Sequence, residues 1–398
     1  MTKEELFTQI LGIKGLEIIS LKTHSDRYEF SVRSILAQTI CPKCGKKCSK
    51  VKSYTNRTIR DLPISGKKVI LELEVRQFEC DCGKFFLERL DFVRANQHLT
   101  IRYEKYLYKR CKGVDIEYIA KKEELDWGVV DRLFYTYSSK EIGARSDWEK
   151  VTHIALDEIA LRKGHKNYVV VVLDLLSGAI LDILKQRDKA FLIKYFEDKG
   201  EAFCQQIEVF CSDMWKAYLN CAKEVFPNAI VVADRFHFFG KCQEGIDHAR
   251  NSFRKMFPKA EELKKLKWAL LKNPENLTVK ELEKLNKVFE KKEYHLLRLT
   301  WDARNTLRDI FNCPYELEEA ELQIDQWIEG VKKFKIRYFF KFIDFYQTWK
   351  TVILNYFKGR FSTGKLEGSN NKLKLIKRRA FGFLDFEHFK ARAMVEFY

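Results

Sequence analysis

Apolar and polar residues alternate along Val69-Ile70-Leu71-Glu72-Leu73-Glu74-Val75-Arg76-Gln77-Phe78, the period of a half-buried strand. From 99 to 138 the spacing turns helical. An apolar-faced segment at 114–120 is followed by a short polar break. A second segment at 126–134 then begins, with Asp126 placed to cap it. Two helices joined this way predict a helix-turn-helix, whose second helix enters the DNA major groove. A plain helical hairpin has the same pattern and stands as the alternative. From 151 the texture is strand-like again, at 154–158, 168–173, 179–184, 207–211 and 229–233, with Ser177-Gly178 as a turn. Helical spacing intervenes at 190–196 and 215–226. Leu263, Leu266, Leu270, Leu282, Leu285, Phe289, Leu296 and Leu299 then recur at helical spacing amid dense Lys and Glu, predicting an all-helical segment over 245–345.

The order β, β, β, α, β, α, β is that of a ribonuclease H-like fold. It predicts a multidomain chain of α+β and α/β character. Three of these strands run into acids, at Asp157, Asp213 and Asp234. Carboxylates gathered at one sheet edge repel unless a cation neutralises them. Oxygen ligands of this kind suit Mg²⁺ or Mn²⁺. Two such ions can stabilise the attacking and leaving oxygens of a phosphodiester displacement. Each acid also has a structural alternative. Asp213 could cap the helix near Trp215, and Asp234 could cap the next one with His237 packed beneath it. Asp174 reads as a turn residue.

Composition sharpens this picture. The 398 residues imply two to three domains, and a net charge of +17 favours a polyanionic partner. At 46% hydrophobic residues the chain is globular. It holds no apolar run of membrane-spanning length, and Met1-Thr2-Lys3-Glu4-Glu5 does not open a signal peptide, so a cytoplasmic protein without membrane contact is expected. Residues 331–398 carry 16 Lys or Arg against 5 Asp or Glu, most densely at Lys372, Lys374, Lys377, Arg378 and Arg379. Of the 11 Cys, most are scattered. Cys41-Pro42-Lys43-Cys44-Gly45 and Cys80-Asp81-Cys82-Gly83 form two Gly-flanked pairs, which predict a structural Zn²⁺ on Cys41, Cys44, Cys80 and Cys82 in a zinc ribbon. The one-residue gap in the second pair is tight, and Cys48 is a substitute ligand.

Asp157-Glu158-Ile159-Ala160-Leu161-Arg162-Lys163-Gly164-His165, Ser212-Asp213-Met214 and Asp234-Arg235-Phe236-His237 lie in the central segment. Glu367-Gly368-Ser369-Asn370-Asn371-Lys372-Leu373-Lys374 and Lys377-Arg378-Arg379-Ala380-Phe381-Gly382-Phe383 follow near the end. Together they resemble bacterial insertion-sequence transposases of the ISL-three family. The zinc ribbon and Arg60-Asp61-Leu62-Pro63 fit that family's amino-terminal half. The resemblance implies a DDE transposase with Asp157, Asp213 and Glu367 as catalytic, Mg²⁺-holding triad. Asp234 and His237 would be accessory, with Asp234 taking the second place if Asp213 proves a cap. Asn370, Lys372, Lys374, Lys377, Arg378 and Arg379 would contact DNA. The implied layout is a zinc-ribbon domain (1–95), a helix-turn-helix region (96–148), a catalytic domain in two parts (149–244 and 346–398) and a helical insertion (245–345). Such a protein would bind the terminal inverted repeats of double-stranded element DNA, cleave and transfer strands, and work as a homo-oligomer. A DNA-binding regulator or inactive relic, and a nuclease without strand transfer, are the alternatives.

Overall fold

The computed structural model describes residues 8–144, 148–161, 168–264, 266–379, 383 and 385–397, apart from the side chains of 365–367. The chain forms two compact units, Met1–Gly143 and Ala144–Tyr398.

In the first unit, β1 (Leu16–Thr23) and β2 (Arg27–Ser34) precede two short strands, β3 (Thr39–Ile40) and β4 (Lys47–Cys48). A long hairpin of β5 (Val51–Ile64) and β6 (Lys67–Glu79) follows, and β7 (Phe85–Leu87) adds to β6. The sheet order is β1-β2-β6-β5, with β2 parallel to β6 and the other neighbours antiparallel. Ser65 and Gly66 turn the hairpin with φ of 50° and 77°, a two-residue loop whose twist matches that of its strands. The alternation seen in the sequence buries Val69, Leu71, Leu73 and Val75 against Leu16, Ile18, Phe30 and Val32. At Phe78 the buried parity switches. That ring joins a separate small core with Cys41, Cys48 and Cys80. A bulge in β5 between Val51 and Ser53 accompanies the switch.

After the sheet come α1 (Ile101–Cys111), α2 (Ile116–Glu123) and α3 (Trp127–Gly143). Thr100, Asp115 and Asp126 accept from the backbone N–H of Tyr103, Tyr118 and Val129 at 3.2, 3.0 and 3.2 Å, one cap per helix. Glu124, at φ 52°, makes the sharp turn between α2 and α3. Asp61 explains the Arg60-Asp61-Leu62-Pro63 motif in structural terms. It is buried, and it accepts from Thr100 Oγ1 at 2.6 Å and Arg102 Nε at 2.7 Å, which ties β5 to the start of α1.

The second unit opens with β8 (His153–Ala160), β9 (Tyr168–Asp174) and β10 (Ile180–Leu184), then α4 (Lys189–Glu197), α5 (Glu201–Gln206), β11 (Val209–Ser212), α6 (Lys216–Val225) and β12 (Ile230–Ala233). Sheet order is β10-β9-β8-β11-β12, antiparallel across the first three strands and parallel across the last three. Val169 to Leu173 are all buried, as expected of a strand covered on both faces. Phe196 of α4 and Phe210 of β11 meet at Phe226, which packs these helices on the sheet. Asp174 accepts from the N–H of Leu176 and Ser177 at 3.1 and 3.3 Å, the turn role expected of it.

One expectation is corrected. The sequence reading ends the first strand at Asp157 and Glu158, whereas β8 continues to Ala160. Pairing with β9 extends that far, to Ala160 opposite Tyr168, while pairing with β11 stops at Ala155. Asp157 is therefore inside a strand on one side and beyond the ladder on the other.

Helices then dominate: α7 (Arg235–Met256), α8 (Lys267–Leu271), α9 (Val279–Phe289), α10 (His295–Asn312), α11 (Leu317–Lys333), α12 (Phe340–Leu354), α13 (Glu367–Arg379) and α14 (Phe386–Glu396). Asn355 Nδ2 donates to Val231 O at 2.9 Å, bringing the chain back to β12 before α13. Gly245 of α7 sits where a Cβ would lie 2.8 Å from the Phe339 ring and 2.9 Å from Tyr338 O. Gly245→Ala is expected to destabilise the protein by about 1–3 kcal/mol through overpacking, measurable as a lowered midpoint in chemical denaturation. Among the described residues, no helix is long and apolar enough to cross a membrane.

Candidate active site and cysteine cluster

Strand register alone aligns three acids. Val209, Phe210 and Cys211 pair with His153, Ile154 and Ala155, and Val209–Ser212 pair with Ile230–Ala233. Continuing each pairing sets Asp213 level with Asp157 on one side and Asp234 on the other. The side chains converge accordingly. One ligand atom each of Asp157, Asp213 and His237 lies within 4.8 Å of the others. His237 Nδ1 is 2.5 Å from Asp213 Oδ1 and 2.8 Å from Asp234 Oδ2.

The electrostatics differ from acid to acid. Burial pushes the Asp157 carboxyl above its ordinary range and the nearby Asp213 charge adds to this, against hydrogen bonds from Asn370 and the Glu158 N–H. Burial also acts on Asp234, but the His237 ring and the Thr363 N–H, at 3.3 Å, outweigh it and hold that carboxyl below its ordinary range. Burial would lower His237; the two carboxylates overcome this and raise it to about 10, so the ring is an imidazolium at neutral pH. Among the described residues, the His237 ring is thus set against the carboxylates of Asp213 and Asp234, with Asp157 close by.

Neither aspartate acts as a simple cap. Trp215 occupies the N-cap position of α6, without a side-chain cap bond. Asp234 stands at the N-cap of α7, yet its carboxylate serves His237 and Thr363 instead of the helix. The donor set at Asp157 and Asp213 fits a hard divalent cation, which takes carboxylate oxygens. A second observation fits as well. Asn370 Nδ2 donates to Asp157 Oδ2, while its Oδ1 is buried with no hydrogen-bond partner among the described residues.

Glu367 is the first residue of α13, and its carboxylate lies outside the described residues, as do 162–165 of the motif that begins at Asp157 and 380–382 of the one that begins at Lys377. Leu373 and Ile376 bury one face of α13, and Lys377 Nζ donates to Ala160 O at 2.8 Å, which lays the helix along β8. The basic residues then diverge. Lys374 and Arg378 are exposed; Lys372 lies 4.5 Å from the Phe397 ring centre; Arg379 pairs with Glu396. Lys374 lines a cavity of about 190 Å³ together with Asp157, Asp234, Phe236, His237 and Asn370.

Two contacts escaped the sequence reading. Asn370, assigned there to DNA, touches Asp157 directly; its position three residues after Glu367 on one helix is the signal for it. The Thr363 N–H that holds Asp234 leaves no signal, because any residue but Pro supplies a backbone N–H. Glu158 turns away from the acidic row, accepting from Arg187 Nη1 and Tyr218 OH, each at 2.6 Å.

In the first unit the four cysteines converge. Their Sγ atoms lie within 4.8 Å of one another, with Cys41 to Cys82 at 3.7 Å and Cys44 to Cys80 at 3.5 Å. A tetrahedron with Zn–S bonds of about 2.3 Å requires sulfurs about 3.8 Å apart, so the donor set fits zinc. Gly45 and Gly83, at φ 73° and 79°, allow both chain reversals. The Gly83 N–H bonds Cys80 O at 2.8 Å, which lets a one-residue gap serve as a knuckle. Burial of the Cys41 thiol is outweighed by the N–H groups of Cys44 and Lys43, which lower it to about 6, whereas, against the N–H groups of Lys46 and Cys82, burial and the neighbouring thiols push Cys44 and Cys80 up to about 11. Cys48 is buried nearby and directs its thiol to Lys46 O at 3.7 Å, outside the group of four.

Residues 154–393 match the transposase family of the ISL-three DDE type, and residues 37–82 match the zinc-finger of transposase IS204/IS1001/IS1096/IS1165. The transposase for insertion sequence element IS1001 of Bordetella parapertussis is 29% identical over 358 residues, covering 88% of this chain and 86% of the relative. The transposase for insertion sequence element IS1557 of Mycobacterium tuberculosis is 24% identical over 381 residues, covering 89% of this chain and 85% of the relative. With an acidic row at the sheet edge and a family match over more than half its length, this chain belongs to the ISL-three family of transposases.

Proposed function

We propose that the protein is a DDE transposase that cleaves and joins element-end DNA at the acidic row. The observation that carries this reading is the convergence of Asp157 and Asp213 from adjacent parallel strands beside His237. The strand order β10-β9-β8-β11-β12 supports a ribonuclease H-like catalytic domain (149–244 and 346–398) with a helical insertion (245–345).

Asp157, Asp213 and Glu367 would hold Mg²⁺ or Mn²⁺, which would supply activation of the attacking water or 3′ hydroxyl and neutralisation of charge on the phosphate. Asn370 steadies the Asp157 carboxylate. His237 orients Asp213 through Nδ1, and Asp234 fixes His237 while tying the Thr363 backbone to β12. Lys374 and Arg378 would take DNA phosphates, contacts that position rather than specify. Lys372, Lys377 and Arg379 would add to that field while also bracing α13.

In the amino-terminal unit, Zn²⁺ on Cys41, Cys44, Cys80 and Cys82 would be structural. The helix-turn-helix region (96–148), with its capped α2–α3 pair, and the ribbon (1–95) would recognise terminal inverted repeats, with α3 in the major groove. A homo-oligomer would hold two ends together.

The test is incubation of the full chain with element-end duplex and target plasmid in Mg²⁺. The expected products are 3′-end nicks and joined molecules. Hydrolysis without joining would favour a plain nuclease, and binding without either product a regulator.

A further inference from the structure

Phe236 is 65% exposed, although it lies between two tightly held neighbours. Arg235 bonds Tyr356 OH at 2.8 Å and Asn312 Oδ1 at 2.5 Å. His237 is held by Asp213 and Asp234. The backbone of this first turn of α7 is thus fixed, and the ring stands edge-on to His237, 5.7 Å between centres. The next aromatic along the helix, Phe238, is 1% exposed and stacks on Phe311 in the core. Phe236 takes no part in that core. It lines the cavity that contains Asp157, with Lys374 and Asn370 also on its wall.

These groups are chemically complementary to one nucleotide. An exposed ring face matches a base, and the Lys374 ammonium on the same cavity wall matches a phosphate. Within a duplex, base faces are occupied by their neighbours. A base can reach this ring only by leaving the stack, as enzymes acting near a base commonly arrange.

We propose that Phe236 is a substrate-binding residue that stacks an unpaired nucleobase next to the scissile phosphate, with Lys374 on the adjoining phosphate. This rests on the reading of the Asp157 site as the DNA-cleaving centre. The ring surface stays unused in the free protein and is covered when DNA is bound. Cleavage is then helped by anything that weakens the terminal base pair.

The full chain tests this with element-end duplexes in Mg²⁺, either fully paired or mismatched at the pair flanking the scissile phosphate. Phe236→Ala is expected to cleave paired DNA roughly tenfold or more slowly. The mismatch should recover much of that loss, and Phe236→Trp, which keeps a stacking face, should recover most of it. In parallel, 2-aminopurine at the flanking position is read in an Asp157→Asn background. Its fluorescence should rise on binding, and the rise should vanish when Phe236→Ala is added. That arm reports extrusion whether or not cleavage follows. Failure of the catalytic reading therefore shows as uncleaved duplex in the wild type with the fluorescence rise intact. The proposal is overturned if Phe236→Ala cleaves paired DNA at the wild-type rate, or if the fluorescence rise survives the substitution. It is equally overturned if the substitution changes only the oligomeric mass, which would make the ring a contact between copies.

Discussion

Asp157→Asn protein is expected to bind element-end DNA with unchanged affinity and to cleave it at least about 10³-fold more slowly in Mg²⁺. The size follows from several kcal/mol of transition-state stabilisation assigned to a metal-held phosphate, at 1.36 kcal/mol per tenfold. Asn is nearly isosteric, and its side-chain carbonyl can still accept from Asn370 Nδ2. The fold should therefore survive. Stability gives an independent readout. Burial and the Asp213 charge outweigh the hydrogen bonds and the nearby His237 charge at Asp157, so its ionised form is a net cost when no metal is bound. In EDTA the variant should melt no lower than wild type. Adding Mg²⁺ should raise the wild-type midpoint and leave that of the variant unmoved. Cleavage by Asp157→Asn at the wild-type rate would remove Asp157 from the chemistry. A lowered midpoint in EDTA would make it a structural acid.

Cys80→Ser is expected to reduce bound zinc from one per chain to none and to unfold the distal end of the amino-terminal unit. Structural zinc sites couple roughly 10–16 kcal/mol of binding to folding, more than the small core around Phe78 can replace. The loss should be local. The core of Val69, Leu71, Leu73 and Val75 against Phe30 and Val32 is separate from that cluster and is joined to it through the β5–β6 hairpin. Hydrogen exchange should show lost protection in β3, β4 and β7, with β1, β2 and the middle of β6 still protected. Zinc analysis and exchange together decide. Full zinc content in Cys80→Ser would exclude that sulfur as ligand. Uniform loss of protection would mean that the two cores fold as one.

Much of this arrangement is legible in the sequence. The strand pattern from 154 to 233 is strongly apolar, and its elements fall within a few residues of the observed ones, because buried strands leave a composition that few alternatives share. The cysteine pairs are legible because thiolate spacing is a local property. The exact end of β8 is not, since β9 and β11 pair with it over different lengths, and pairing length is set by the partner strand. α5, with Glu201-Ala202-Phe203-Cys204-Gln205-Gln206, spans under two turns and is too short for periodicity to register. At the site, the acids themselves could be read from strand ends. The contacts that organise them could not. The hydrogen bond from Asn370 to Asp157 spans 213 positions and that from Thr363 to Asp234 spans 129, so both exist only once the helical region has returned the chain to the sheet. The exposure of Phe236 is likewise invisible in a motif where three of four residues are engaged elsewhere.

The proposed DNA cleavage requires Asp157 and Asp213 to hold the metal. Anomalous diffraction from crystals of the full chain with element-end DNA and Mn²⁺ tests it most directly. The expected result is a Mn²⁺ peak about 2.1 Å from carboxylate oxygens of both Asp157 and Asp213, with a DNA phosphate oxygen in the same coordination sphere. Cleaved DNA in the crystal, with Mn²⁺ bound away from both aspartates, would contradict it.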